Sequence, residues 1–100
     1  MIREKRQHPR ARVDRPCNLE FGLESAPAVL RDLSVGGAFI ESTLHLPFGT
    51  AVTLVVPLPG DGPALRLPAL VRWSHSDGLG LQFELLGARD THAITQLIKK

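Results

Sequence analysis

The sequence predicts an all-β domain of six short strands followed by one short helix. Apolar and polar residues alternate with a period of two in much of the chain, and turn-forming residues interrupt this alternation at short intervals. Helical spacing occurs only near the C-terminus. Because no helix separates the predicted strands, an antiparallel barrel or a sandwich is favoured, since both reduce the exposed sheet edge. The 100 residues, 43% hydrophobic and 22% charged, fit one globular domain.

The strands follow from local patterns. Cys17, Leu19 and Phe21 alternate with polar neighbours and indicate the first strand, in which Cys17 is expected to be a small buried hydrophobic residue. Five further strands, each bounded by turn residues, are predicted at 28–34, 38–42, 50–58, 65–74 and 79–85.

The later strands contain two patterns that predict which side chains face the core. Val71 and Trp73 are two residues apart, so we expect them on one face, with Trp73 filling the core. The same alternation places Leu79, Leu81 and Phe83 together on one face of the last strand.

The C-terminal residues predict an amphipathic helix. Ala93, Ile94, Leu97 and Ile98 recur at helical spacing, and Asp90 is suited to the N-cap position. Such a helix is too short to be stable alone, so we expect its apolar face to cover an opening of the β-structure or to contact a partner.

Positive charge is concentrated at the N-terminus. The first 15 residues carry six basic and two acidic side chains, a net charge of +4, whereas the remaining 85 residues carry a net charge of −2. This N-terminal arm contains Pro9 and has no apolar period, so we expect an extended or mobile segment that a bound anion would order. The alternative is a solvated tail that only aids solubility.

Two arginines in the arm form the first candidate site. In Arg6-Gln-His-Pro-Arg10 they are separated by three residues. A guanidinium group pairs in a bidentate manner with phosphate or with the O6 and N7 atoms of guanine, and its face stacks on a base. The pattern therefore suits a phosphorylated guanine nucleotide, although an ordinary surface charge pair has the same spacing.

The second candidate site is Asp32-Leu-Ser34-Val-Gly-Gly37. In a strand, Asp32 and Ser34 would lie side by side on the exterior, with Leu33 and Val35 toward the core. A carboxylate accepts hydrogen bonds from the N1–H and amino groups of guanine, and a hydroxyl can donate or accept beside it. The glycines allow a hairpin or bulged turn and the close approach of a ligand. The alternative is a turn held by local side-chain-to-backbone hydrogen bonds.

Together these motifs resemble a PilZ domain over nearly the whole chain. The resemblance includes Arg6-x-x-x-Arg10, Asp32-x-Ser34-x-x-Gly37, Val71-x-Trp73 and Gly78-Leu-Gly80-Leu-Gln-Phe83. It implies a six-stranded antiparallel β-barrel with a short C-terminal α-helix. Within one domain spanning 1–100, the arm would occupy 1–14, the barrel 15–86 and the helix 88–99. It also implies a receptor for the bacterial second messenger cyclic di-GMP.

The resemblance further implies a role for each motif residue. Arg6 and Arg10 would contact the phosphates and the guanine rings of cyclic di-GMP. Asp32 and Ser34 would bind a guanine, and Gly37 would keep the turn open. Lys5, at a position where the family varies, is interpreted as favouring a stacked ligand dimer.

On this interpretation, ligand binding changes the arm and the surface that it offers to an unidentified protein effector. The alternative is a PilZ-like adaptor that acts through protein contacts and does not bind the nucleotide.

Other functions find little support in the sequence. Ser74-His-Ser-Asp77 contains the residue types of a catalytic triad, but neighbours within one turn do not converge as a triad requires, so no enzymatic activity is expected. Four histidines and one cysteine lack metal-ligand spacing, so we expect neither a metal nor a cofactor. Scattered aromatic residues disfavour nucleic acid binding. With no long apolar run and a charged N-terminus, we expect a cytoplasmic protein without membrane insertion. The expected oligomeric state is a monomer or a weak homodimer.

Overall fold

A computed structural model of the chain describes residues 11–58, 60 and 62–98. Lys5, Arg6 and Arg10, the candidate ligand contacts of the N-terminal arm, lie outside the described residues. Within the described part, the elements are β1 (Ala11–Phe21), β2 (Glu24–Leu33), β3 (Gly37–Glu41), β4 (Ala51–Val56), β5 (Leu65–His75), β6 (Gly78–Phe83) and α1 (Ala88–Ile98).

The six strands form a closed antiparallel barrel in the order β1-β2-β3-β6-β5-β4. The barrel closes where Asn18, Leu19 and Glu20 of β1 pair with Val55, Leu54 and Thr53 of β4. Closure resolves the alternative between barrel and sandwich, and it confirms the fold class that the sequence predicts.

The barrel interior contains aliphatic side chains from every strand, because one face of each strand carries the apolar residues of the alternating pattern. The largest fully buried side chains of the described residues are Leu19, Leu30, Leu33, Ile40, Leu54, Val56, Leu67, Val71 and Leu79 from the strands and Ile94 from the helix. Leu79, Leu81 and Phe83 are all buried, as their alternation predicts. Cys17 is a buried free thiol, and burial raises its pKa to about 11, which fits a packing residue.

Helix α1 packs against β1 and β5 and buries Ile94 and Leu97. It begins at Ala88, so Asp90 lies within the first turn and is not the N-cap that the sequence suggested. A carboxylate in the first turn still interacts favourably with the positive end of the helix dipole. None of the described residues belongs to a helix that is long and apolar enough to cross a membrane.

Strand β1 begins at Ala11, which is earlier than the boundary at residue 15 suggested by the sequence. Ala11 pairs with Leu33 and Arg12 pairs with Asp32. The expectation that the arm extends to residue 14 is therefore wrong for residues 11–14, because all four belong to β1 and the first two pair with β2.

Irregularities in strand pairing decide which side chains face outward. The register shifts between Arg12 and Arg15 in β1, between Leu30 and Asp32 in β2, and between Val71 and Trp73 in β5. Each extra residue reverses the alternation that follows it. Trp73 is consequently 39% exposed, while Val71 is fully buried. The expectation that both share the core face is wrong for this reason.

Candidate functional site

One row of paired residues crosses five strands on the outer face of the barrel. Arg12 pairs with Asp32, Asp32 with Phe39, Phe39 with Gly80, and Gly80 with Trp73. Paired residues share a face of the sheet, and neighbouring strands lie about 4.8 Å apart. The row thus combines a cation, a carboxylate and two aromatic rings on one outer surface, which we call the outer row.

The aromatic half of the outer row is packed in a definite geometry. The rings of Phe39 and Trp73 stack with their centroids 5.4 Å apart and their planes 19° apart. His75 meets the indole edge-on at a centroid distance of 4.6 Å. These contacts leave a partly exposed aromatic surface that could stack on a planar base.

Two glycines make room for this aromatic surface. A Cβ at Gly80 would collide with the indole of Trp73, and one at Gly78 would collide with the ring of Phe39 and the carbonyl of Ile40. Strand β6 therefore has no side chain at Gly78 and Gly80, where the two rings lie against it. The segment Gly78-Leu-Gly80 together with Val71-x-Trp73 was the sequence signal for this cluster, but sequence reasoning placed Trp73 in the core and missed its site.

Ser34 lies after the end of β2 and is only 6% exposed. Its hydroxyl accepts hydrogen bonds from the backbone N–H groups of Gly36 and Gly37, both at 3.2 Å, and donates to the carbonyl of Gly37 at 3.3 Å. The expectation that Ser34 stands beside Asp32 on the exterior is wrong, because its hydroxyl satisfies the backbone of its own turn. A contact between Ser34 and a ligand stays a prediction.

Gly37 closes the same turn at the start of β3. Its carbonyl accepts a hydrogen bond of 2.9 Å from the backbone of Ser34. A Cβ at this position would collide with the carbonyl of Leu81. The turn is also joined to β6, since Phe83 donates a backbone hydrogen bond of 3.0 Å to Gly36. Gly37 is therefore needed for close strand packing, whether or not a ligand approaches the turn.

Charged side chains of β1, β2 and β3 form an ionic network beside the outer row. The Nε atom of Arg12 lies 3.0 and 3.1 Å from the two carboxylate oxygens of Asp14. Arg31 donates to Asp14 at 2.9 Å and to Glu41 at 2.7 Å. Hydrogen bonds from Arg31 and then Arg12 lower the pKa of Asp14, and Asp14 and Glu41 raise the pKa of Arg31. Sequence reasoning missed this network, which depends on the bulges in β1 and β2.

The first described residue, Ala11, lies next to the second candidate site. Ala11, which follows Arg10 in the sequence, pairs with Leu33, which lies between Asp32 and Ser34. Ala11 thus lies beside the strand residue that separates Asp32 from Ser34. Within the described residues, no group of three His, Cys, Asp or Glu side chains is arranged to hold a metal ion.

Comparisons with known proteins agree with this architecture. A family model described as PilZ domain matches residues 4–100. No curated protein sequence matches the chain significantly.

Several solved structures have a similar fold. The PilZ domain of CeSA from a cellulose-synthesizing bacterium has a TM-score of 0.75 and 21% identity, and the alignment covers 90% of this chain and 94% of that one. The PilZ domain of YcgR from Escherichia coli with c-di-GMP has a TM-score of 0.71 and 16% identity, with coverage of 95% and 89%.

A third similar structure is PlzA from Borreliella burgdorferi in complex with c-di-GMP. Its TM-score is 0.72 at 16% identity, and the alignment covers 95% of this chain and 41% of that chain. At such identities, structural similarity establishes the fold alone.

Proposed function

This chain belongs to the PilZ domain family, and from that membership we propose that it is a receptor for cyclic di-GMP. The single observation that carries the proposal is the strand register of β1 and β2. The pairing of Ala11 with Leu33 brings the chain that follows Arg6-x-x-x-Arg10 directly to the Asp32-x-Ser34-x-x-Gly37 turn. The residue that directly follows the first motif is therefore paired with a residue of the second motif, although the two motifs are more than 20 residues apart in the sequence.

Asp32 supplies the guanine-recognising group. It lies on the outer row, and its carboxylate can accept hydrogen bonds from the N1–H and amino groups of one guanine edge. Adenine lacks this pair of donors. A base bound by Asp32 would lie about one strand spacing, 4.8 Å, from Phe39. Phe39 in turn stacks on the indole of Trp73.

Phosphate recognition is assigned to the N-terminal arm. Arg6 and Arg10 would pair with the phosphates, because a guanidinium matches phosphate geometry through two parallel hydrogen bonds. Lys5 would add a compact positive charge for a second ligand molecule. Closure of the arm onto the outer row would create the surface that a cytoplasmic protein effector recognises.

Titration calorimetry with cyclic di-GMP tests the proposal, with GTP, cyclic di-AMP and an oligonucleotide as comparison ligands. The parent protein should bind cyclic di-GMP preferentially. Arg6→Ala and Arg10→Ala should each weaken binding by more than about tenfold, since a charge-assisted hydrogen bond contributes roughly 1.5–3 kcal/mol.

Arg66→Ala is the matched control, because Arg66 is an exposed arginine that pairs with Glu20 away from the outer row. It should bind like the parent, and melting curves should show that all variants fold. A folded parent that does not bind cyclic di-GMP would contradict the receptor proposal and favour an adaptor that acts by protein contact alone.

A further inference from the structure

Arg12 belongs to neither sequence motif, but it lies on the outer row as the direct partner of Asp32. Its side chain is 69% exposed. We propose that Arg12 is a further phosphate-binding residue of the site and that Asp14 restrains it in the unliganded protein. This inference rests on the proposed binding of cyclic di-GMP.

The restraint has a definite geometry. Asp14 adopts a left-handed backbone conformation, with φ of 48°, inside the β1 bulge. Both of its carboxylate oxygens lie within 3.1 Å of Arg12 Nε. The side chain of Arg12 therefore lies along β1 and points toward Asp14, two residues further on.

Asp14 does not depend on Arg12 for a partner. Arg31 donates to the same carboxylate at 2.9 Å and is itself held by Glu41 at 2.7 Å. When the side chain of Arg12 rotates toward a ligand, Asp14 therefore still pairs with Arg31. Breaking the Arg12 contact costs little, because ion pairs between exposed side chains are weak in water.

The charges on this face explain why a ligand would recruit Arg12. The ionic network and the neighbouring Asp32 together contain three carboxylates, from Asp14, Asp32 and Glu41, and the guanidinium groups of Arg12 and Arg31. A ligand with two phosphates would be repelled by these carboxylates. Arg12 is the more exposed of the two cations, at 69% against 32% for Arg31, and it stands beside the carboxylate proposed to bind guanine.

The test is a double-mutant cycle read by calorimetry with cyclic di-GMP at fixed salt. Arg12→Ala should weaken binding about tenfold. Asp14→Asn should tighten it about two- to fivefold by releasing Arg12. Asparagine tolerates the left-handed conformation, so this change removes the charge and keeps the bulge. In the Arg12→Ala background, the gain from Asp14→Asn should be smaller, because only the repulsion between Asp14 and the phosphates is then removed.

Arg66→Ala and Glu20→Gln provide a matched pair, since they break an ion pair of the same type that involves neither the β1 bulge nor the outer row. Each should leave affinity within about twofold of the parent. Melting curves of every variant separate loss of binding from loss of folding.

The outcomes distinguish the two proposals. If the folded parent does not bind cyclic di-GMP, the proposed function and this inference both fail. If the parent binds and Arg12→Ala binds equally well, only the role of Arg12 is overturned. A gain from Asp14→Asn that is equally large without Arg12 would indicate a general charge effect and would overturn the restraint.

Discussion

Replacing Gly80 by alanine should displace the indole of Trp73 from the outer face while leaving the barrel core intact. The new Cβ would meet the indole atoms Cε2, Nε1 and Cζ2, all of which belong to a side chain. Trp73 is 39% exposed, so the ring can swing toward solvent. The cost is therefore the loss of its stacking on Phe39 and of its partial burial, without movement of the backbone.

The size of the effect follows from these contacts. An aromatic pair contributes about 0.5–1.5 kcal/mol beyond its buried area, whereas removal of a fully buried aromatic side chain costs about 3–5 kcal/mol. Because Trp73 is partly exposed, we expect Gly80→Ala to lower the free energy of unfolding by about 1–2.5 kcal/mol. For a domain of this size, that corresponds to a fall in melting temperature of roughly 5–15 °C.

Thermal unfolding followed by circular dichroism measures this change. Trp73 is the only tryptophan and the chain has no tyrosine, so intrinsic fluorescence independently reports the exposure of the indole. Gly62→Ala is the matched control, since Gly62 lies in a loop and a Cβ there meets no atom within 4 Å. Gly37→Ala should destabilise more than Gly80→Ala, because its Cβ meets the backbone carbonyl of Leu81. An unchanged melting curve and emission spectrum for Gly80→Ala would refute the reasoning.

Three further predictions concern the turn, the ionic network and the arm. Ser34→Ala should lower the free energy of unfolding by about 1–3 kcal/mol in urea titrations, because the N–H groups of the turn lose their buried acceptor. The folded-state pKa of Asp14 is lowered from 3.8, so the stability that its ion pairs contribute is present above about pH 4 and is lost on further acidification. Asp14→Asn should therefore make the melting temperature less sensitive to acid below that pH. Saturating cyclic di-GMP should slow amide hydrogen exchange in residues 3–10, and equal exchange with and without ligand would argue against closure of the arm.

Much of the fold could be predicted from local patterns. The alternation of Leu79, Leu81 and Phe83 correctly identified one core face, because a regular strand sends every second side chain to the same side. The spacing of Ile94 and Leu97 correctly identified the buried face of α1. These features depend only on neighbours in the sequence, which is why one sequence was enough to predict them.

The candidate site was predicted less completely. Asp32 lies on the outer face, as its motif suggested, but Ser34 turns to its own backbone and Trp73 lies outside the core. The network of Arg12, Asp14 and Arg31 had no signal in the sequence. A hydrogen-bonded turn at Ser34 was one of the two alternatives that the motif allowed, the other being an exterior strand position. Which of the two forms depends on whether β2 continues past Leu33.

The sequence by itself determined the succession of the strands and the apolar faces of the regular strands. The tertiary structure alone decided where β1, β2 and β5 each accommodate an extra residue. A bulge is defined by two strands that pair with unequal numbers of residues, so no pattern within one strand reveals it. Because each bulge reverses the faces that follow, strand pairing sets which arginine lies beside Asp32 and which side of the barrel carries Trp73.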